Sequence, residues 1–275
     1  MNWNLFTMLV LQLLSSPENL ERRGGWELVW SENFDNSGVL DSDRWTYETG
    51  YRRNNEIQIY SSSTNNVRAE GGLCIIECRL ESDSIITSGS IITDRKENLL
   101  YGRVEVRAQI PSAKGSWPAI WMMGANHKEN PWPECGEIDI MEHVGYKPRF
   151  IHANVHMKDF QYTKGVKKGA RIRVKKPWEG FHIYALEWYE DRLDFYFNDS
   201  LYYTYLNDMT GNNDTWPYDK PHFLIMNVAY GGTWGGKRGV KLKALPLQMN
   251  VDYVRYYREP GPEPIYLPRI LRHWL

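Results

Sequence analysis

The chain has 275 residues, with 33 Lys and Arg against 34 Asp and Glu, and its formal net charge of -1 argues against a nucleic-acid partner or a polybasic membrane protein. Hydrophobic residues make up 42% and charged residues 24%, which is ordinary for a globular protein. The 12 Trp and 18 Tyr are more than a core needs, and such flat amphipathic side chains are favoured on ligand-binding surfaces, although they also pack sandwich cores.

The N-terminal segment, residues 1–25, differs from the rest of the chain. Its apolar stretch from Leu5 to Leu14 is too short to span a bilayer and has the length of a signal-peptide core, but no Lys or Arg precedes it. We expect a signal-like or disordered segment and a secreted or periplasmic protein. A mis-assigned start codon or a short packed helix is the alternative. No other segment is long enough to cross a membrane.

Residues 26–258 read as short β-runs separated by Gly, Asn, Asp or Pro. The runs are WELVW, EIQIY, GRVEVRAQI, FHIYALEWY, RLDFYFN, HFLIMNVAY and VDYVRYYR. In GRVEVRAQI, charged and apolar residues alternate with the period of two that a strand with one polar face requires. The pattern predicts one all-β domain folded as a β-sandwich. We expect the Pro-rich residues 259–275 to form a C-terminal tail outside this domain.

The three cysteines, Cys74, Cys78 and Cys135, are too few for a disulfide framework, and none has zinc-site spacing. Cys74 and Cys78 share a face of one strand but lie too far apart along it to form a disulfide. We predict three buried thiols.

The most informative segment is GEIDIMEHVG, residues 136–145, because it places three acids among apolar strand-formers. We call Glu137, Asp139 and Glu142 the acid triplet. On a regular strand Glu137 and Asp139 share a face, whereas Glu142 points to the core, where an unpaired carboxylate is costly. One extra residue at or beside Met141 would return Glu142 to the same face. The segment therefore predicts a β-bulge, a feature common beside active sites.

Two glutamates on one face of a cleft, with an aspartate between them, suit the cleavage of a glycosidic bond with retention. One carboxylate attacks the anomeric carbon and the other protonates the departing oxygen, which requires carboxyl groups about 5 to 5.5 Å apart. The spacing does not decide which glutamate takes which role. Three solvated acids or a calcium site remain the alternative.

The flanks of the acid triplet favour a polysaccharide groove. Trp117 and Trp121 lie four residues apart in one run, Trp132 follows, and sugar rings present apolar faces that stack on indoles. The polar candidates for hydroxyl recognition are Asn55, Glu56, Arg103 and His156. A structural role for His156 is equally compatible with its sequence context.

The sequence resembles the bacterial-type endo-β-1,3-glucanases, or laminarinases, of glycoside hydrolase family 16. The motifs that carry the resemblance, in family order, are WELVWSENFD, RNNEIQIY, NVRAEGG, YGRVEVRAQIP, GSWPAIWMMG, WPECGEIDIMEHVG, FHIYALEW, NVAYGGTWGG and MNVDYVRYY. The resemblance implies a jelly-roll β-sandwich of two antiparallel sheets with a concave substrate cleft. It identifies residues 26–258 as the catalytic domain.

The resemblance also assigns roles. It implies that Glu137 is the nucleophile, Asp139 the assisting acid and Glu142 the general acid/base, with no cofactor for the chemistry. The implied substrate-binding residues are Asn55, Arg103, Trp117, Trp121, Trp132, His156 and Trp234. A structural calcium ion is implied at Asp252, with main-chain oxygens near Glu32 and Gly72.

Two segments depart from the family pattern. ETGYRRNNE replaces a glycine-rich loop, so Arg52 and Arg53 add positive charge near the glycone end of the cleft. The segment after His156 is rich in Lys and Arg, which indicates either a solvated basic surface or a preference for sulfated or uronate glycans.

We therefore expect a retaining endo-glycosidase that hydrolyses β-1,3-glucan and tolerates mixed β-1,3-1,4 linkages, acting as a monomer. One alternative keeps the chemistry and changes the polymer to a galactan such as agarose or carrageenan. The other is a β-glucan-binding protein without catalysis, which the presence of both glutamates disfavours.

Overall fold

The structure is a computed structural model that describes residues 22–23, 25–82, 84–159 and 168–260. The predictions for the N-terminal segment, residues 1–25, and for the C-terminal tail, residues 259–275, fall almost entirely outside these residues and stay predictions. Within the described ranges, no helix has the length and apolar character that crossing a membrane requires.

The regular secondary structure of the described residues consists almost entirely of β-strands. In order they are β1 (Arg22–Arg23), β2 (Trp26–Glu32), β3 (Thr46–Tyr47), β4 (Ile59–Tyr60), β5 (Val67–Glu70), β6 (Leu73–Ser82), β7 (Ile85–Ser88), β8 (Ser90–Ile92), β9 (Asn98–Leu99), β10 (Gly102–Gln109), β11 (Ser116–Gly124), β12 (Glu137–Glu142), β13 (Phe150–His156), β14 (Gly169–Arg173), β15 (His182–Trp188), β16 (Arg192–Phe197), β17 (Ser200–Leu206), β18 (His222–Tyr230) and β19 (Leu247–Arg258). One turn of 3-10 helix, Leu242–Ala244, precedes β19.

Two sheets build the sandwich. The larger, 11-stranded sheet runs β17-β16-β15-β10-β19-β6-β7-β4, with β1, β2 and β5 joined to this path. The smaller, 8-stranded sheet runs β14-β13-β12-β11-β18-β8-β3, with β9 on β18. All pairings between the named strands are antiparallel except the parallel pair β4–β7. The predicted all-β sandwich is confirmed.

The core lies between the sheets because the strands alternate as the sequence predicts. On β13, Ile151, Ala153 and Val155 are fully buried while their neighbours are partly exposed. Burying one such large apolar side chain stabilises the fold by roughly 1.5–3 kcal/mol. Because β12 and β13 bury one face in this core, their other face is left for the cleft.

A second, smaller apolar cluster lies on the other face of β11 and β18, and its members are Ala119, Trp121, Phe223 and Ile225. All nine residues of β18 are buried, so this central strand is covered on both faces. The small cluster thus places Trp121 on the side of the sheet that carries the cleft.

Two predicted runs differ in the structure. The run EIQIY contributes only Ile59 and Tyr60 to a strand, because Glu56 turns inward to polar partners while Ile57 faces solvent. The polar face of β10 is only partly solvated, since Arg103 and Glu105 are both buried while Arg107 is partly exposed.

The three cysteines are free and buried, as predicted. Cys74 and Cys78 lie on β6 in the larger sheet, whereas Cys135 lies just before β12 in the smaller one. Burial raises the pKa of the Cys78 thiol to about 12 and that of Cys135 to about 11, so all remain protonated at neutral pH.

Candidate active site

The strand β12 carries the predicted bulge. Asp139 lies opposite Asn154 on β13, and Glu142 lies opposite His152, so three steps on β12 match two steps on its partner. The register of β12 with β11 shifts at the same place. The extra residue falls within Ile140–Met141, at or beside Met141 as the sequence predicted.

The bulge puts the three acids on one side of the sheet. The acid triplet lines a cleft of about 700 Å³, whereas Ile138, Ile140 and Met141 are fully buried in the core. Glu142 therefore reaches the cleft although it is an odd number of residues from Glu137.

Two donors fix the Glu142 carboxylate. The indole N–H of Trp117 donates to Oε1 at 2.9 Å, and the Asn154 amide donates to Oε2 at 2.6 Å. Since one donor approaches each oxygen, the carboxylate is held in a single orientation. Asn154 lies two residues from His156 on β13, where strand alternation turns both side chains to the cleft.

His156 contacts the other two acids. Its Nε2 lies 3.1 Å from Oδ2 of Asp139 and 3.7 Å from Oε1 of Glu137. Among the described residues, this is the one group of three His, Cys, Asp or Glu side chains with ligand atoms within 4.8 Å of one another. Such mixed donors suit a transition metal. A metal bound here would occupy the lone pairs of two members of the acid triplet.

The acid triplet is poised to share protons. Burial and the charge of Asp139 raise the pKa of Glu137 to about 8, against a lowering influence of His156. Burial and the charge of Glu142 raise the pKa of Asp139 well above its ordinary value. Burial also raises the pKa of Glu142, and its donors Trp117 and Asn154 oppose that rise. At neutral pH the triplet therefore holds fewer than three negative charges.

Aromatic side chains form much of the cleft wall. Trp117, Trp132 and Trp234 all line it, and Trp132 is 56% exposed, which leaves its ring open to a ligand. The Trp117 and Trp234 rings meet edge to face, with centroids 5.3 Å apart. The His152 ring packs against the Trp234 ring, with centroids 5.0 Å apart. Rigid aromatic surfaces of this kind suit the apolar faces of sugar rings.

Most of the predicted catalytic and substrate-binding residues line this cleft. Besides the acid triplet, the lining includes the nominated residues Glu56, Trp117, Trp121, Trp132, His156 and Trp234. Arg52 and Arg53, which depart from the family pattern, also line the cleft.

The prediction that Arg103 binds substrate is wrong. Arg103 lies on β10 in the larger sheet and is buried there. Its guanidinium donates to Glu105 and to Glu187, both at 2.7 Å, and its Cζ lies 5.2 Å from the centroid of the Tyr196 ring. Strand alternation turned this side chain to the outer face of the larger sheet, so it serves a structural ion-pair network.

Asn55, which the resemblance implies as a substrate-binding residue, is not part of the cleft lining. Asn54 and Glu56 line the cleft, whereas Asn55 between them is exposed to solvent and does not. Asn54 and Asn55 both adopt left-handed backbone conformations, with φ of 56° and 53°. Both residues lie in a turn, so the strand periodicity of the run EIQIY does not extend to them.

Sequence reasoning missed several polar residues of the cleft wall. Asn154 holds Glu142, Asn227 accepts the Trp121 indole N–H at 2.8 Å, and Glu48 receives donors from Arg52 and Arg53. Asn154 could have been found, because it lies two residues from His156 on the same strand face. Glu48 comes from a loop, so strand periodicity gave no signal for it.

Comparison with known proteins identifies this architecture. Residues 45–255 match the profile of glycosyl hydrolases family 16. The chain belongs to that family. A β-glucanase of Rhodothermus marinus is 41% identical over 265 residues, which cover 92% of this chain and 93% of the relative. The family is one of glycoside hydrolases, so the chain is an enzyme of that class.

Solved structures of the family agree with the fold. The laminarinase of Rhodothermus marinus superposes with a TM-score of 0.80 at 43% identity, covering 86% of this chain and 98% of that one. A non-specific endo-β-1,3(4)-glucanase of family 16 superposes with a TM-score of 0.79 at 39% identity, covering 89% and 95%. The predicted jelly-roll sandwich and the resemblance to laminarinases are therefore confirmed. The glucanases of this family need no cofactor for their chemistry.

Proposed function

We propose that the protein is a retaining endo-glycosidase that hydrolyses β-1,3-glucan and tolerates mixed β-1,3-1,4-glucan. The observation that carries the proposal is the bulge in β12, which brings Glu137 and Glu142 to one cleft wall. The indole surfaces of the cleft and the similarity to a laminarinase and an endo-β-1,3(4)-glucanase support the substrate.

In the proposed reaction, a carboxylate oxygen of Glu137 attacks the anomeric carbon while the Glu142 carboxylic acid gives its proton to the departing glycosidic oxygen. The bond from carbon to that oxygen breaks, and a covalent glycosyl–enzyme forms. Glu142, now a carboxylate, then takes a proton from water. The resulting hydroxyl displaces Glu137 and restores both groups with net retention at the anomeric carbon.

Asp139 and His156 prepare the Glu137 carboxylate for attack. A proton on Glu137, whose pKa is about 8 in the substrate-free cleft, blocks its attack as a nucleophile. Asp139 is hydrogen-bonded to Glu137, and its pKa is also raised well above its ordinary value by burial and by the charge of Glu142, so the two carboxyl groups titrate as a coupled pair. The His156 imidazole favours negative charge on Glu137.

A direct test of the function measures reducing sugar released from laminarin. The wild type is expected to release oligosaccharides, and Glu137→Gln is expected to lower kcat by several orders of magnitude, because an amide is a poor nucleophile. Glu179→Gln is the matched control, since Glu179 is an exposed partner of Lys176. Laminarin activity that survives Glu137→Gln contradicts the assignment.

Two further measurements define the reaction. Proton NMR of the first product should show the β-anomer before mutarotation, as retention requires. A panel of laminarin, mixed-linkage glucan, agarose and carrageenan should show cleavage of the glucans. Cleavage of agarose or carrageenan alone would indicate that the same chemistry acts on a galactan and not on a glucan.

We also propose a structural calcium site at Asp252, with main-chain oxygens of Glu32 and Gly72. The register supports it: on one edge of β19 the partner changes from β6, ending at Val251, to β2, starting at Val254. Asp252 lies in that gap, Gly72 just before β6, and Glu32 at the end of β2. A hard cation suits such oxygens, although one Asp252 oxygen already accepts Arg107.

Thermal unfolding tests the calcium site. Addition of CaCl2 after EDTA treatment should raise Tm by several degrees, because an ion that binds only the folded state stabilises it. The rise should be absent in Asp252→Asn. Equal Tm values in EDTA and in CaCl2 would contradict the proposed calcium site.

We further propose that the protein is exported and acts as a monomer. An extended polysaccharide is too large to enter a cell, which supports export, and the cleft is built from one chain, which supports the monomer. Light scattering of the purified protein should give the mass of one chain. Sequencing the N-terminus of protein recovered from the medium should place cleavage after the apolar stretch.

A further inference from the structure

Trp121 is not available as a sugar platform, although its position in the cleft suggests one. Only 6% of its surface is exposed. It packs in the small apolar cluster with Phe223 and Ile225, its indole N–H is bound to Asn227, and the Arg53 guanidinium covers its ring at 4.9 Å. What a ligand meets at this part of the cleft is therefore the Arg53 side chain.

Arg53 is held rigidly in that position. Its Nη1 donates to Oε2 of Glu48 at 2.9 Å, and its Nη2 donates to the same oxygen. Glu48 is buried and is itself fixed by Ser90, whose hydroxyl donates at 2.7 Å. A guanidinium fixed by both a carboxylate and an aromatic face loses little conformational entropy when it binds a ligand.

The Arg53 guanidinium retains unused hydrogen-bonding capacity. A guanidinium has five N–H donors, and the two hydrogen bonds to Glu48 use two of them. In the part of the chain that the structure describes, the other donors have no protein acceptor. Because the side chain lines the cleft, these donors are available to oxygen atoms of a bound ligand.

The charges around Arg53 indicate what kind of ligand fits. Arg52 and Arg53 are countered by the carboxyl groups of Glu48 and Glu56, which also line the cleft. The formal charges of these four side chains cancel, so the wall offers directed donors without a net positive field. Such a wall favours hydroxyl oxygens over sulfate or carboxylate groups.

We propose that Arg53 is a specificity-determining residue that donates hydrogen bonds to the hydroxyl groups of an uncharged sugar unit next to the one that is cleaved. Trp121 lies opposite Asp139 in the register of β11 and β12, so Arg53 is one side chain removed from the acid triplet. This inference rests on the proposed glycosidase function. It adds recognition through a guanidinium where an open indole would offer only stacking, and it limits this part of the cleft to neutral glycans.

Binding to an inactive enzyme tests the role of Arg53. In a Glu137→Gln background, calorimetry should show that Arg53→Met raises the Kd for β-1,3-linked gluco-oligosaccharides about tenfold or more, since hydrogen bonds to charged donors are lost. Arg53→Lys should give an intermediate Kd, because Lys keeps the charge without the planar fork. The Kd of the Glu137→Gln parent, which keeps Arg53, should be nearly independent of the NaCl concentration, as expected for a neutral ligand.

The matched control is Arg79→Met in the same background. Arg79 lies on β6 and pairs with Glu77 and Glu81 at 3.5 and 3.6 Å, and it does not line the cleft. Its substitution removes one charge of the same kind and should leave the Kd unchanged. Measured Tm values check that each variant is folded, and Arg53→Lys provides a second reading if Arg53→Met is unstable.

Distinct results would overturn distinct claims. Equal Kd values for the parent, Arg53→Met and Arg53→Lys would remove the role of Arg53 while leaving the glucanase function intact. Tighter binding of sulfated or uronate oligosaccharides, weakened by NaCl and lost in Arg53→Met, would refute the restriction to neutral glycans. If the wild type neither binds nor cleaves β-1,3-glucan, the proposed function itself fails.

Discussion

His156 is the residue through which the pH dependence of the cleft can be adjusted. Its Nε2 faces both Asp139 and Glu137, and its influence lowers the pKa of Glu137 against the effect of burial. The imidazole is thus a positioning and electrostatic partner of the carboxylates. Its contribution should be visible in a pH profile and not only in a rate.

We predict that His156→Asn moves the acidic limb of the kcat/KM profile to higher pH. Removing the imidazole removes an influence that lowers the pKa of Glu137, so the carboxylate ionises later. The loss of activity should be greater at pH 6 than at pH 8. His182→Asn, on β15 in the larger sheet, should leave the profile unchanged. A uniform loss at every pH would instead indicate a purely structural role.

The residue scale also shows the limit of periodicity. The acid triplet could be identified from sequence because carboxylates are costly among apolar strand-formers. Asn55 and Arg103 were misplaced for two different reasons. A left-handed turn moved the first out of the cleft, and the alternation of β10 turned the second to the outer face of the other sheet.

At the scale of the element, the bulge in β12 is required only because the two glutamates are separated by an odd number of residues. If Met141 is deleted, the glutamates become four residues apart, and a regular strand again places both on one face. The unbulged strand would thus serve the same cleft. In the native strand the bulge offsets the odd spacing, so both glutamates take the face that an even spacing would give them.

We predict that deletion of Met141 leaves a folded enzyme with reduced but measurable activity on laminarin. Its stability should fall by about 2–5 kcal/mol, because a fully buried side chain is lost. Met141→Ala is the matched control, since it loses a similar buried volume but keeps the bulge. A deletion variant that is folded and inactive beside an active Met141→Ala would show that the bulge itself is essential.

Five of the long strands were predicted closely, whereas one short strand was not. The runs that form β10, β15, β16, β18 and β19 match their strands to within a few residues, because each pairs along its length and packs one face or both in the core. The run EIQIY yields only the two-residue β4. Its Glu56 is instead bound by Gln58 and Tyr60, a tertiary network that propensity does not record.

On the scale of the whole molecule, the acid triplet makes stability depend on pH. The pKa of Glu137 is about 8 in the folded protein, against about 4.3 in an unfolded chain. Between these values the folded state binds more protons than the unfolded state. Stability therefore falls as the pH rises from about 4 to about 8.

We predict that Glu137→Gln is more stable than the wild type at pH 8, by about 1–3 kcal/mol, and equally stable at pH 4. The amide removes the cost of ionising a buried carboxyl beside Asp139. Urea unfolding at both pH values provides the measurement. Glu179→Gln, at an exposed position, should show no such dependence, and an equal gain at both pH values would refute the electrostatic origin.

The buried thiols give the molecule an internal reporter of its own opening. Only the thiolate attacks a labelling reagent, and burial keeps Cys78 and Cys135 protonated, so alkylation must await local or global exposure. Because Cys78 lies in one sheet and Cys135 in the other, mass spectrometry of a slow alkylation would reveal which half of the sandwich separates first. The order in which the two thiols are alkylated would show whether the sheet that contains β12 and the acid triplet opens before the other sheet.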